Sequence, residues 1–335
     1  MALREIRSPD EIDYGKMGGL VPVVVVDAVS KKPLMQAYAN REAVKKTLET
    51  GYAWFYSRSR KRLWMKGETS GNKIRVLRVI ADCDLDALIY EGLPSGPVCH
   101  TGAKRCFHNP VADARDEELW RLLVKAFQEA VVVPRKGYAG LSEYLYVINP
   151  VTDDIPVIEP LLLQLLADYL AEELEPLEPD AVLVPEALGL PLGTLVAQQL
   201  VAPMIIVRKR RYEAPGLVAS YASGYEEGEY HVYGLTEKYK RIAIVDDTVS
   251  TGGTAIALTK LLEENGYEVV AVAAALAKPQ YRGVERLREL GHEPIRVVDL
   301  YVERQGDRAV LRLEGRGKLE GRKATIETMI QNPGQ

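Results

Sequence analysis

The sequence predicts two domains, a β-rich α+β domain of residues 1–112 followed by an α/β domain of residues 113–335. A chain of 335 residues suits about two domains, because single domains usually hold roughly 100–200 residues. The first third consists mostly of short, alternating or β-branched stretches, which favour strands. The remainder alternates short apolar stretches with longer helical ones, which is typical of a parallel sheet flanked by helices. We find no internal repeat, so the halves are not a duplication.

In the first domain, β-branched and alternating stretches predict strands, and a capped stretch predicts a helix. Asn40 is a preferred N-cap residue and Gly51 a preferred terminator, so the helix should span residues 41–49. The predicted strands are residues 21–26, 53–57 and 73–80.

In the second domain, strands and helices alternate from residue 116 to residue 290. The predicted strands are residues 180–185, 204–208, 241–246 and 268–276, and the predicted helices are residues 116–133, 192–200, 253–264 and 284–290. Ligands of such folds bind outside the carboxyl ends of the strands. The polar residues 306–335 receive no assignment.

Thiols without disulfide partners and the lack of an export signal indicate a cytoplasmic protein, and local basic clusters at residues 58–62 and 208–211 favour small anionic substrates. The net charge of −4 provides no general attraction for nucleic acid or for anionic membranes. The charged start, residues 1–10, does not resemble a secretion signal, and the apolar run 20–26 falls short of the ~20 residues that cross a bilayer. We therefore expect neither nucleic acid nor membrane partners.

The three cysteines, Cys83, Cys99 and Cys106, lie within one short segment. Three thiols cannot pair off as disulfides, and three thiolates suit a zinc ion with one open coordination position. A water in that position would make the site catalytic, whereas His100 as fourth ligand would make it structural. The spacing leaves both interpretations open.

Three carboxylates, Asp82, Asp84 and Asp86, alternate around Cys83. If this segment is an extended strand, they share one face and Cys83 lies on the other. Three like charges on one face favour a hard cation such as Mg²⁺. A solvated acidic strand edge is the alternative.

Several ordered segments of the first domain resemble phosphoribosyl-AMP cyclohydrolase of histidine biosynthesis. They are residues 54–60, 63–72, 82–87 and 96–102 and the pair Cys106-Phe107. The resemblance implies hydrolytic opening of the N1–C6 bond of phosphoribosyl-AMP, and a homodimer with the zinc site at or near the subunit interface. It implies Zn²⁺ on the three cysteines, Mg²⁺ on the three aspartates and a catalytic role for His100. It also implies phosphate binding by Ser57, Arg58, Ser59, Arg60, Lys66, Ser70, Gly71 and Asn72, although a charge run such as residues 58–62 is commonly a solvated turn.

A second motif, residues 242–254, is an apolar strand, two acids and a glycine- and hydroxyl-rich loop that opens a helix. Glycines let backbone N–H groups approach an anion, and a helix N-terminus adds favourable partial charge. The motif is neither a Walker A loop nor a dinucleotide fingerprint. Asp246 and Asp247, where the strand ends, suit ribose hydroxyls.

This motif resembles the phosphoribosyl diphosphate (PRPP) signature of type I phosphoribosyltransferases. Residues 149–156, 184–191 and 207–216 resemble the archaeal purine enzymes, which implies adenine as the favoured base and hypoxanthine next, and a flexible flap at residues 213–230. The implied PRPP-binding residues are Asp246, Asp247, Ser250, Thr251, Gly252, Gly253, Thr254, Glu186, Ala187, Arg208 and Lys209.

The sequence thus predicts a bifunctional enzyme with both activities. The alternative for the second domain is a module that senses purine or PRPP and regulates rather than catalyses. Such a regulator should carry a basic helix-turn-helix segment, and the sequence shows no such pattern.

Overall fold

A computed structural model describes residues 8–137, 141–223 and 226–331. The chain divides into two compact units, Met1–Ala112 and Asp113–Gln335, the same division that the sequence analysis uses. The fold class is the predicted one, a β-rich unit followed by an α/β unit. Among the described residues, no helix is both long and apolar enough to cross a lipid bilayer.

The first unit is built on a four-stranded sheet and a separate two-stranded hairpin, as far as the described residues show. The sheet has the order β2-β1-β6-β5, with β1 parallel to β6 and antiparallel to β2. The hairpin pairs β3 with β4. The elements are β1 (Val21–Asp27), β2 (Pro33–Ala39), α1 (Arg41–Thr50), β3 (Trp54–Ser57), β4 (Arg62–Met65), β5 (Ile74–Ala81) and β6 (Leu88–Pro94).

Helix α1 begins and ends where its capping residues predict. The Asn40 side chain accepts a hydrogen bond from the Ala43 N–H at 2.9 Å, and Gly51 has the left-handed φ of 72° that closes the last turn. The predicted strands β1, β3 and β5 are confirmed within one or two residues.

The second unit, in its described part, contains a nine-stranded sheet of order β11-β12-β10-β9-β13-β14-β15-β16-β17. Its five central strands are parallel, and each edge is an antiparallel pair. Its elements are α2 (Arg115–Gln128), β7 (Val131–Lys136), β8 (Glu143–Ile148), α3 (Pro160–Leu174), β9 (Ala181–Pro185), α4 (Leu190–Leu200), β10 (Met204–Arg208), β11 (Gly216–Ala222), β12 (Glu227–Tyr233), β13 (Arg241–Val249), α5 (Gly253–Glu264), β14 (Glu268–Ala277), α6 (Gly283–Glu289), β15 (Ile295–Gln305), β16 (Arg308–Gly315) and β17 (Lys323–Met329).

The prediction of a helix over residues 116–133 is wrong at its end. Helix α2 ends at Gln128, and the β-branched residues from Val131 begin strand β7, which pairs with β8. β-Branched side chains fit a pleated strand better than a helix, and the proline at position 134 cannot donate a helical hydrogen bond. The unassigned polar tail supplies β16 and β17, which bury Leu311 and Leu313 against the sheet.

Helices cover both faces of the large sheet. Buried side chains of α2, α3 and α4 form one apolar cluster with the strands, and those of α5 and α6 form another. Because each face is covered, the central strands are buried and their carboxyl ends meet at a single edge.

Substitutions in α3 test this packing. Leu170→Ala should lower the free energy of unfolding by about 2–5 kcal/mol, because Leu170 is fully buried and its truncation leaves a cavity. The matched variant Leu161→Ala, on the same helix, removes a side chain that is 50% exposed and should change it by less than about 0.5 kcal/mol. Urea denaturation followed by circular dichroism measures both values. Equal losses would contradict the assigned buried face.

Candidate functional site

The three cysteines of the first unit do not come together within one chain. The thiols of Cys99 and Cys106 interact with each other. Cys83 joins no group of three or more close metal-ligating side chains with them, as far as the described residues go. A hydrogen bond from the Thr101 hydroxyl, at 3.2 Å, lowers the pKa of the Cys99 thiol, which favours the thiolate that zinc binds. His100 Nδ1 lies 3.9 Å from the Cys99 sulfur.

The three aspartates do come together, but not as the strand that alternation predicts. Strand β5 ends at Ala81, and the next residues form a turn in which Leu85 has a φ of 65°. The Asp82 carboxylate stabilises this turn by accepting hydrogen bonds from the backbone N–H groups of Asp86 and Ala87 at 3.0 and 3.2 Å. The expectation that Cys83 lies on the opposite face of a strand is therefore wrong, because no strand is present there.

The turn gathers carboxylate oxygens of Asp82, Asp84 and Asp86 within 4.8 Å of one another. A cation of the same chain lies among them: the Lys16 ammonium is 2.5 Å from Asp84 and 2.9 Å from Asp86. The hydrogen bond from Lys16 lowers the pKa of the Asp84 carboxyl. The cluster attracts a positive group of its own chain, and its all-oxygen donor set is the kind that Mg²⁺ prefers.

The predicted phosphate-binding residues of the first unit form two groups, one beyond each end of β4. Ser57, Arg58, Ser59 and Arg60 line an open cavity of 840 Å³, where the Arg58 guanidinium lies 3.9 Å from the centre of the Tyr38 ring. Lys66, Ser70, Gly71 and Asn72 follow β4 in a tight loop, and the Asn72 amide donates to the Pro97 carbonyl at 2.9 Å. Two separated groups suit a substrate with two phosphates.

In the second unit, the glycine-rich loop connects β13 to α5. Gly252 has a φ of 76°, which side chains rarely tolerate. A Cβ atom on Gly253 would lie 1.9 Å from the Ala222 carbonyl oxygen of β11, so only glycine fits there. The Gly283 N–H stabilises the loop by donating a hydrogen bond to the Ser250 carbonyl at 2.9 Å. These contacts leave the N-terminus of α5 facing the end of the sheet.

One cavity at this end of the sheet collects the predicted PRPP-binding residues. Its lining includes Glu186, Ala187, Lys209, Asp246, Asp247 and the whole loop from Ser250 to Thr254. Arg208 does not line the cavity, but its guanidinium contacts Glu186 at 2.9 Å. Loops after three different strands therefore converge, as expected for a parallel sheet.

Of the two acids near the end of β13, Asp246 is buried and Asp247 is half-buried. Burial raises the pKa of Asp246, and it raises that of Asp247 well above its ordinary value, with the neighbouring Asp246 charge adding to the effect. Asp246 Oδ1 also accepts the backbone N–H of Asp247 at 2.9 Å. Carboxylates held in this way are strong acceptors for ligand hydroxyls.

Sequence patterns missed several side chains of this cavity. Tyr144 of β8 reaches it and contacts the Ser250 hydroxyl at 2.9 Å. Lys278, which is buried, points its ammonium toward the Tyr144 hydroxyl at 3.3 Å. A lysine directly after a buried apolar strand is a signal that could have identified Lys278, whereas no local pattern marks Tyr144.

Family models match both units. A model described as phosphoribosyl-AMP cyclohydrolase matches residues 35–108, and a model of the phosphoribosyl transferase domain matches residues 157–290.

Individual proteins also show similarity to the chain. A phosphoribosyl-AMP cyclohydrolase of Nitrosopumilus maritimus (strain SCM1) is 56% identical over 100 residues, 30% of this chain and 93% of that protein. A hypoxanthine/guanine phosphoribosyltransferase of Methanohalophilus mahii is 37% identical over 186 residues, 55% of this chain and 93% of that protein. A crystal structure of adenine phosphoribosyltransferase from Rhodothermus marinus DSM 4252 aligns with a TM-score of 0.45 and 27% identity over 55% of this chain and 99% of the other.

The raised pKa of Asp247 predicts a gain in stability for Asp247→Asn. A carboxyl whose folded pKa exceeds its unfolded value stabilises the fold at low pH and loses that contribution as pH rises through the folded pKa. At pH 7 the variant should therefore be more stable than the parent, because asparagine carries no charge that burial opposes. The difference should shrink toward pH 4.

Thermal unfolding of the protein without PRPP or Mg²⁺, measured between pH 4 and pH 8, tests this expectation. Asp307→Asn is the matched control, because Asp307 is exposed between β15 and β16. A variant that is less stable than the parent at pH 7 would contradict the assigned burial cost.

Proposed function

Through its first unit the chain belongs to the phosphoribosyl-AMP cyclohydrolase family and through its second to the phosphoribosyltransferase family, and from this premise we propose a bifunctional enzyme. The first unit opens the N1–C6 bond of phosphoribosyl-AMP by hydrolysis. The second transfers phosphoribosyl from PRPP to a purine base and releases pyrophosphate.

For the first unit, Cys83, Cys99 and Cys106 would hold the zinc ion. A zinc ion supplies an activated water at neutral pH. His100, beside Cys99, would accept the proton of the attacking water and return it to N1 as the C6–N1 bond breaks. Asp82, Asp84 and Asp86 would hold Mg²⁺, with Lys16 displaced, and the two groups beyond the ends of β4 bind the two phosphates.

The incomplete cysteine site is the observation that supports a homodimer. Cys99 and Cys106 interact within one chain, whereas Cys83 does not join them. A second copy of the chain could supply Cys83 across a twofold interface, and each dimer would then contain two equivalent sites.

For the second unit, the convergence of predicted PRPP ligands in one cavity supports the transferase assignment. The loop from Ser250 to Thr254 binds the 5′-phosphate, and Asp246 and Asp247 bind the ribose hydroxyls. Lys209 and the loop at Glu186 face the diphosphate. Mg²⁺ on the diphosphate would offset the charge that develops as this group leaves.

The choice of base has two candidates. The sequence motifs favour adenine, with hypoxanthine next. One structural observation favours a 6-oxopurine: Lys278 is buried, lines the cavity and carries only hydrogen-bond donors. A donor pairs with the oxygen at C6 of hypoxanthine or guanine, but not with the amino group of adenine. The hypoxanthine/guanine enzyme of Methanohalophilus mahii is in line with this candidate.

Subunit complementation tests the shared zinc site. Cys83→Ser and Cys106→Ser should each abolish ring opening and zinc binding. Co-expressed, they should recover about a quarter of the wild-type activity, because half of the dimers are mixed and each mixed dimer has one intact site of two. Ring opening and bound zinc per chain are measured together.

Co-expression of Cys99→Ser with Cys106→Ser is the matched control. Both changes then affect the same side of the site, so no mixed dimer contains an intact site. Recovery in this control, or none in the first pair, would exclude the shared site. Full activity after removal of zinc would instead favour the structural interpretation of the cysteines.

A panel of adenine, hypoxanthine, guanine and xanthine with PRPP, scored by pyrophosphate release, tests the second activity and its base. If Lys278 recognises a 6-oxo group, Lys278→Met should reduce kcat/KM for hypoxanthine by about 10- to 200-fold, since a buried donor is lost, and affect adenine little. If adenine is the substrate, adenine alone should turn over. Binding of purine and PRPP without turnover of any base would favour the regulatory module.

A further inference from the structure

The cavity of the second unit has an unfavourable charge balance for its proposed ligand. Its ionisable acids and bases are Glu186, Glu226, Asp246 and Asp247 against Lys209 and Lys278. The carboxylates repel a diphosphate that enters such a cavity. Binding requires that a metal cation accompany the diphosphate or that a lysine leave its carboxylate partner and pair with the diphosphate. The partners of these acids therefore influence how tightly the diphosphate binds.

Glu226 is the acid that holds a cation of the cavity. Its carboxylate lies 2.6 Å from the Lys209 ammonium and also accepts a hydrogen bond from the Tyr221 hydroxyl at 3.2 Å. Glu186 differs, because it accepts from the Arg208 guanidinium and from the backbone N–H of Lys209 rather than from its ammonium. The Lys209 side chain is thus neutralised by Glu226.

The position of Glu226 is defined by the two edge strands β11 and β12. The Glu226 carbonyl accepts from the Ser223 N–H at 2.7 Å, and its own N–H donates to the Ser223 hydroxyl at 3.0 Å. Tyr221 of β11 stacks on Tyr230 of β12 with ring centres 4.0 Å apart. The Tyr230 hydroxyl lies 3.3 Å from the Thr254 hydroxyl of the phosphate loop. The contacts that position the Glu226 carboxylate beside Lys209 therefore extend, through Tyr221 and Tyr230, to the phosphate loop.

We propose that Glu226 is an internal counter-ion of Lys209 that the diphosphate of PRPP must displace, so that Glu226 sets the affinity of the second unit for diphosphate ligands. The proposal rests on the proposed transferase function, because it takes Lys209 as a diphosphate ligand. Glu226 binds no substrate in this role; it competes with substrate for the same ammonium. Without a ligand, the pair avoids an uncompensated lysine charge in the cavity.

Binding of inorganic pyrophosphate to the full-length protein at fixed Mg²⁺, measured by calorimetry, tests the proposal. Glu226→Gln keeps the size of the side chain and removes its charge, so pyrophosphate should bind about two- to fivefold more tightly, the range expected for loss of a partly exposed ion pair. Glu227→Gln removes the same charge from the exposed neighbour on β12 and should change the affinity by much less.

A double-mutant cycle with Lys209→Gln tests whether Glu226 changes pyrophosphate affinity through the Lys209 ammonium. Because Glu226 acts through the Lys209 ammonium, Glu226→Gln should add no affinity when Lys209 is already glutamine. Unchanged or weaker binding in Glu226→Gln, an equal gain in Glu227→Gln, or a gain that persists in the Lys209→Gln background would each overturn the proposal.

The same titrations separate this inference from the function on which it rests. A parent protein that fails to bind pyrophosphate with Mg²⁺ would overturn both. A parent that binds it and releases pyrophosphate in the base panel, with no specific effect of Glu226→Gln, would overturn the counter-ion role alone. The KM for PRPP provides a second readout, since it should fall in Glu226→Gln by a similar factor.

Discussion

In both units, some of the charged groups near a proposed ligand are paired with opposite charges of the same chain. Lys16 lies among the aspartates of the first unit, and Glu186 and Glu226 neutralise Arg208 and Lys209 in the second. An unpaired charge in a partly buried site destabilises the protein. The charged side chains of a site that binds a charged ligand therefore need other partners while the ligand is absent. Internal pairing meets this need, and it means that ligand binding exchanges one set of ion pairs for another.

The end of β13 departs from this pattern. Asp246 and Asp247 have no cation that bonds to either carboxylate among the described residues, and burial raises the pKa of both. Their position follows from the topology, because β13 is a central parallel strand and only its carboxyl end reaches the edge of the sheet where the cavity lies. The loop after β13 is also constrained, because Gly253 packs directly on the Ala222 carbonyl and leaves no room for a side chain. The raised pKa values indicate that ionising these carboxyls is unfavourable at the point where the ligand edge presents them as acceptors.

Local signals predicted local structure well. The Asn40 cap and Gly51 predicted α1, and the acids and glycines after an apolar strand predicted the β13–α5 loop. Its partners in the cavity were expected only from the resemblance to a known family. The alternating pattern of residues 82–86 wrongly predicted a strand. Such a pattern carries no information about a side chain that hydrogen-bonds to the nearby backbone and so forms a turn. The turn still brings the three carboxylates together, so their proximity was predicted from residue type although the predicted strand geometry was wrong.

The parts that sequence could not predict are those that depend on distant contacts. Tyr144 and Ser250 are 106 residues apart, and their hydroxyls meet only because the β7–β8 hairpin lies over the phosphate loop. Glu226 is similar: as one of two adjacent glutamates in a polar stretch it resembles a solvated charge, and only the pairing of β11 with β12 places it rather than Glu227 on Lys209. The same residue type therefore has different roles at adjacent positions. Glu226 directly precedes β12, and its hydrogen bonds with Ser223, directly after β11, determine which of the two carboxylates neutralises Lys209.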